Sequence, residues 1–132
     1  MTRFAGYAAV FDHVDEGGDI VKPGAFLRSL KKGPVPLLLQ HRQGRVAGTI
    51  EQIGEDKRGL RVIARLGGDA VGERARMLMG QGRLKGLSFG YRVRRGASEA
   101  GKRTLEEVDL VEVSLVERPM QPLAKVHAVE GE

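Results

Sequence analysis

Glycine sets the first limit on what this chain can fold into. Nineteen glycines are spread along 132 residues and cut the sequence into short apolar runs. Short runs closed by Gly, Pro or Asp suit strands and turns better than long helices. The chain therefore reads as β-rich α+β, and its length fits one domain over residues 1–132.

The periodicity places the elements. Residues 3–11, 46–53 and 60–66 read as strands, with 54–59 as a hairpin turn. In the third of these, Leu60, Val62, Ala64 and Leu66 alternate with Arg61, Ile63 and Arg65, the pattern of a strand with one buried face. Val35 to Gln40 is a nearly continuous apolar run bounded by proline and glycine. It reads as a buried strand that delivers His41 at its end. Residues 84–93 and 104–116 are the last two strands, with 96–102 as a loop and a short tail after Pro119 and Pro122. Two helices are expected. One covers 25–32 and stops at Gly33-Pro34. The other covers 69–82, with Asp69 as cap and Val71, Ala75, Leu78 and Met79 as its apolar stripe.

Composition removes several kinds of chemistry. The chain has no cysteine, which excludes a disulfide framework, a thiol nucleophile and a thiolate metal site. No apolar run approaches the roughly 18 residues of a membrane span, and no signal peptide is expected at the N-terminus. No metal or organic cofactor is implied. The net charge of +5 admits two readings. Arg92, Arg94 and Arg95, with Arg74 and Arg76, form either a solvated surface or a nucleic-acid patch. No recognised nucleic-acid motif accompanies them, and the low aromatic content argues against a stacking surface for single strands.

Three features can carry chemistry. His41 follows the buried run and precedes a polar turn, so its imidazole stands at the rim of the core; an edge histidine without a role fits the same position. Ser88 lies in Gly86-Leu87-Ser88-Phe89-Gly90. These letters are G-x-S-x-G, but the hydrolase elbow of that pattern needs a helix after the serine, and here a strand follows. A small residue in a tight sheet position fits equally well. Glu112 sits in a strand with Val111, Val113 and Leu115 on one face and Leu110, Glu112, Ser114 and Val116 on the other; both faces carry apolar residues, so its carboxylate needs a partner. An imidazole would serve, giving a serine, a base and an orienting acid; a structural ion pair to an arginine is the alternative. Lys85 offers a Ser-Lys dyad, but Lys85 and Ser88 are three positions apart, a spacing that shares a face on a helix and not on a strand.

Taken in order, these segments resemble the tailed-phage prohead maturation proteases, which are thought to be related to the herpesvirus assemblins. The resemblance runs over residues 4 to 128. It is carried by Gly6-Tyr7-Ala8-Ala9-Val10-Phe11, Gly18-Asp19-Ile20-Val21-Lys22-Pro23-Gly24-Ala25-Phe26, Leu37-Leu38-Leu39-Gln40-His41, Leu84 to Tyr91, and Leu110 to Pro119. It implies a small, mainly antiparallel β-barrel flanked by short helices. It implies Ser88 as nucleophile, His41 as base and an acid as third member. Glu112 is the first choice, with Asp109 and His127 behind it. Arg92 or Arg118 would assist backbone N–H groups in the oxyanion hole. The implied substrate is the major capsid protein or a scaffold protein, cut inside the immature prohead in the bacterial host cytoplasm. Autocleavage and self-association are further expectations; a membrane or a specific nucleic acid is not expected as partner. The rival readings are a catalytically silent scaffolding protein and a basic nucleic-acid-binding domain.

Overall fold

The computed structural model describes residues 2–130. Its elements in chain order are β1 (Arg3–Val10), β2 (Asp19–Val21), α1 (Leu27–Leu30), β3 (Leu37–Leu39), β4 (Val46–Glu55), β5 (Gly59–Leu66), α2 (Ala70–Gly80), β6 (Gly86–Glu99), β7 (Lys102–Val116) and β8 (Val126–Glu130). The strands form one sheet in the order β2-β7-β3-β4-β5-β1-β8, with β6 paired on β7. The β2·β7 and β3·β7 ladders are parallel and the others antiparallel. The sheet also curls back on itself. Leu87 N–H donates to Ala124 O at 2.9 Å and Val126 N–H to Lys85 O at 2.9 Å, which ties the start of β6 to the chain entering β8. The result is a β-rich curled half-barrel with two helices, in keeping with the expected small β-barrel flanked by short helices.

The curl encloses the core. Phe4, Phe26, Leu37, Leu60, Leu84, Leu87, Leu105 and Leu115 are all less than 2% exposed. Burying each such side chain contributes roughly 1.5–3 kcal/mol. Phe26 meets Phe89 edge to face at 5.2 Å between centroids, a favoured aromatic geometry. In β5 the alternation read from sequence is realised, with Leu60, Val62, Ala64 and Leu66 buried and Arg61, Ile63 and Arg65 half-buried.

Four expectations need correction. The first helix is one turn, Leu27–Leu30, rather than 25–32. The chain before it is held by a distant strand: the Glu55 carboxylate accepts from Gly24 N–H at 2.7 Å and Phe26 N–H at 2.9 Å. Residues 96–102 are not a loop, because β6 and β7 continue to a two-residue turn. Ala100 and Gly101 make it, with φ of 52° and 78°. Two left-handed residues match the twist of a hairpin; an alanine in the first position hid the signal.

The tail is also a strand. β8 pairs antiparallel with β1, Phe4 opposite Val129 and Ala5 opposite Ala128. The buried Gln121 fixes its approach: it accepts from Val10 N–H at 2.7 Å and donates to Val10 O at 3.1 Å. The fourth correction concerns the faces of β7. The β6·β7 ladder slips between Gly90 and Tyr91, so Gly90 faces Glu112 while Tyr91 faces Leu110. Val111 is the extra residue of a bulge and is 39% exposed. Leu110 therefore joins the face of Phe89 and Val113, not that of Glu112.

Helix α2 keeps its expected cap. Asp69 Oδ1 accepts from Gly72 N–H at 2.9 Å, and Ala75 and Leu78 are buried. Asp69→Ala is expected to lower stability by about 1 kcal/mol. Urea unfolding would show this as a lower midpoint with an unchanged slope.

Candidate active site

Three neighbouring strands present the three singled-out residues. β7 lies at the centre and carries Glu112. β6 lies on one side and carries Ser88; β3 lies on the other and leads into His41. In the β6·β7 ladder Ser88 is directly opposite Ser114, and Gly90 opposite Glu112. Direct partners and residues two apart share a sheet face, so Ser88, Gly90, Glu112 and Ser114 share one. Leu87 and Phe89 point the other way, into the core.

His41 reaches this group from a tight turn. Leu38 and Leu39 run parallel to Ser114 and Leu115. Gln40 and His41 then adopt φ of 54° and 60°. Left-handed backbone costs a non-glycine residue roughly 1–2 kcal/mol. Three hydrogen bonds hold it: Arg42 N–H to Leu39 O at 3.2 Å, Gln40 N–H to Leu115 O at 2.9 Å, and His41 N–H to Ser114 Oγ at 3.2 Å. The turn places His41 Nδ1 2.6 Å from Glu112 Oε1. The other oxygen, Oε2, accepts from Ser114 Oγ–H at 2.5 Å. The partner that the buried carboxylate demanded is thus an imidazole and not an arginine.

Burial and exposure divide the roles. Glu112 is 6% exposed and Ser114 fully buried, whereas the His41 side chain is 42% exposed. The hydrogen bond to Glu112 raises the His41 pKa above its ordinary 6.5, against a smaller opposing effect of burial. With Nδ1 committed to Glu112, Nε2 is the nitrogen left for proton transfer. Ser88 is 9% exposed, and its hydroxyl makes no hydrogen bond to another described residue.

The two glycines flanking Ser88 have separate uses. A Cβ at Gly86 would lie 2.6 Å from Pro119 Cδ, so that position must be bare for the chain after β7 to cross it. A Cβ at Gly90 would lie 3.0 Å from Glu112 Cδ and Cγ. The carboxylate side chain lies across Gly90 on its way to His41. The G-x-S-x-G letters thus arise from a strand beside an acid, with no elbow.

The other candidates are engaged elsewhere. Asp109 binds Lys32 at 3.0 Å and Arg94 at 3.1 Å, and these cations hold its pKa below the usual carboxylate range. His127 packs its ring against Tyr7 at 5.8 Å. Lys85 precedes β6, is exposed, and makes no hydrogen bond with Ser88 among the described residues. Sequence reasoning missed Ser114 as a partner of both Glu112 and His41. The signal was available: a hydroxyl two residues from the buried acid, on its side of the strand.

The sequence profile described as "Caudovirus prohead serine protease" matches residues 1–132. The chain belongs to that family. It is 33% identical over 94 residues to the prohead protease of Enterobacteria phage HK97, an overlap of 68% of this chain and 42% of that protein. It thus spans less than half the length of this relative. Its fold is similar to that of the bacteriophage T4 capsid assembly protease, with a TM-score of 0.72 at 14% identity over 86% of this chain and 80% of that one. The KSHV protease, solved with a hexapeptide phosphonate inhibitor, gives 0.71 at 15% identity over 99% of this chain and 65% of its own. At such identities the likeness is one of fold. This chain thus shares its curled sheet with these two solved proteases.

Gly90→Ala tests how this fold seats Glu112. The added methyl must push Glu112 aside, and a misplacement of about 1 Å can cost on the order of a hundredfold in rate. The expected result is a folded protein, by circular dichroism, whose proteolytic rate is reduced on that scale.

Proposed function

We propose that this chain is a serine endopeptidase with Ser88, His41 and Glu112 as its triad. It cuts the scaffold or the N-terminal arm of the major capsid protein, and itself, inside the immature prohead in the bacterial host. One observation carries the reading: an exposed imidazole held at 2.6 Å by a buried carboxylate, beside a strand that presents an unpaired serine. Family membership supports the reaction type and the capsid substrate. It does not choose the acid; the contact with His41 supports Glu112, and Asp109 and His127 lack such a contact.

The reaction follows from the groups present. Neutral His41 takes the Ser88 Oγ proton at Nε2 as the oxygen attacks the scissile carbonyl carbon. Glu112 orients the ring and stabilises the imidazolium that forms. Collapse of the tetrahedral species breaks the C–N bond, and His41 returns the proton to the departing amine. A water molecule then repeats the sequence on the acyl-enzyme. Backbone N–H groups within 86–90 would hold the oxyanion, although that of Leu87 is already bound to Ala124. Of the two arginines, Arg118 is favoured over Arg92. It lines a cleft of about 450 Å³ with Gly86, Lys85 and Pro119, beside the Ser88 strand. Arg92 stands four residues beyond Ser88 on the exposed part of β6.

Co-expression with the cognate capsid-protein precursor and intact-mass analysis tests the proposal. Defined trimming that vanishes with Ser88→Ala, His41→Ala and Glu112→Ala is the expected result. An unchanged capsid mass, with the two proteins still associating, would favour the scaffolding role instead.

The raised His41 pKa adds a pH signature. The base must be neutral, so the rate falls as pH drops through a value above 6.5. Stability runs the other way: the charged contact contributes fully below the ordinary histidine pKa and is lost as pH rises through the raised one. Glu112→Gln should shift the acid limb of the rate profile to lower pH while reducing the maximum. A limb that stays in place would show that Glu112 does not act on His41.

A further inference from the structure

We propose that Ser114 is a positioning residue of this site, a fixed hydroxyl that sets both the acid and the turn bearing the base. The inference rests on the triad reading above and extends it by one residue. Three observations carry it.

First, the hydroxyl is used twice. Ser114 Oγ–H donates to Glu112 Oε2 at 2.5 Å, and the same oxygen accepts from His41 N–H at 3.2 Å. A hydroxyl has one proton and two lone pairs; donating the proton to the carboxylate leaves its oxygen to receive the amide. Second, Ser114 is fully buried in a strand whose neighbours Val113 and Leu115 are also fully buried. A polar group in that setting is costly unless both of its capacities are met. Third, it is the cross-strand partner of Ser88. The fixed hydroxyl thus adjoins the nucleophile's own strand position.

The geometry assigns the two serines different work. Ser88 has a free proton and partial exposure; Ser114 has its proton committed to a carboxylate and no access to substrate. Ser114 is therefore not a reserve nucleophile. Its hydrogen bond fixes Oε2, and with the carboxylate plane fixed Oε1 is aimed at Nδ1. Its second bond holds His41 N–H in the left-handed turn at φ 60°. Without the hydroxyl the acid can rotate about its side chain, and the turn loses one of the bonds that offset its strain. Alanine would leave Oε2 and the His41 amide without this partner.

The test uses the full chain. In a Ser88→Ala background, which prevents self-cleavage, proton NMR with ¹⁵N-labelled histidine should show a far-downfield His41 Hδ1 signal from the short bond to Glu112. Adding Ser114→Ala should abolish or broaden that signal, and Ser114→Thr, which keeps the hydroxyl, should restore it. With Ser88 present, Ser114→Ala should slow single-turnover trimming of the capsid precursor at least about tenfold, near the value of one charge-assisted hydrogen bond. Thermal unfolding of each variant monitors the fold. If Ser114→Ala does not fold, Ser114→Cys, close in volume but a weak donor, takes its place and is read the same way. An unaltered Hδ1 signal and an unaltered trimming rate in the alanine or cysteine variant would overturn the assignment. Trimming that survives Ser88→Ala would overturn the triad reading instead, while the NMR signal still decides whether Ser114 aims the acid.

Discussion

The contact between the Glu112 carboxylate and the His41 ring is what the rest of the site is arranged to permit. A carboxylate that is 6% exposed must be compensated or protonated. Here each oxygen has one partner, an imidazole nitrogen and a serine hydroxyl. Both partners come from the short stretch where β3 runs parallel to β7. The parallel pairing makes the contact possible: it brings the end of Leu37–Leu39 alongside Ser114 and Leu115, and His41 follows within two residues.

The surrounding chain makes local concessions to that contact. Gln40 and His41 accept left-handed backbone. Gly90 gives up a side chain so that Glu112 can lie across it. Val111 is expelled to the surface by a bulge one residue before the acid, which changes the face of Leu110 and the residues just upstream of it in β7. Such departures from regular geometry cluster where function requires a fixed side-chain direction. The Ser88 hydroxyl makes no hydrogen bond to another described residue, so the proposed proton transfer requires Ser88 and the His41 ring to close to hydrogen-bond distance when substrate binds.

Much of this was legible from residues alone, and the reasons are specific. The apolar run before His41 announced a buried strand ending in a polar ring. The apolar neighbours of Glu112 announced a buried charge in need of a partner. Glycines around Ser88 announced a crowded backbone. What escaped the sequence was set by distant contacts or lacked a residue signature. No composition marks Val111 as a bulge. Ala100 occupies a left-handed turn position that asparagine or glycine usually announces. The β8 strand depends on β1 and on Gln121, more than a hundred residues from its partner Val10 in sequence. The first helix was overextended because Glu55, from another strand, holds the residues before it.

The proposed triad requires that the Glu112–His41 pair activate Ser88 and no other hydroxyl. Reaction with a fluorophosphonate probe, followed by peptide mass spectrometry, addresses it without knowledge of the substrate. The expected result is a single adduct on the peptide containing Ser88, formed rapidly by the unaltered chain and far more slowly by His41→Ala. An adduct on a different serine, or labelling of Ser88 at the same rate without His41, would contradict it.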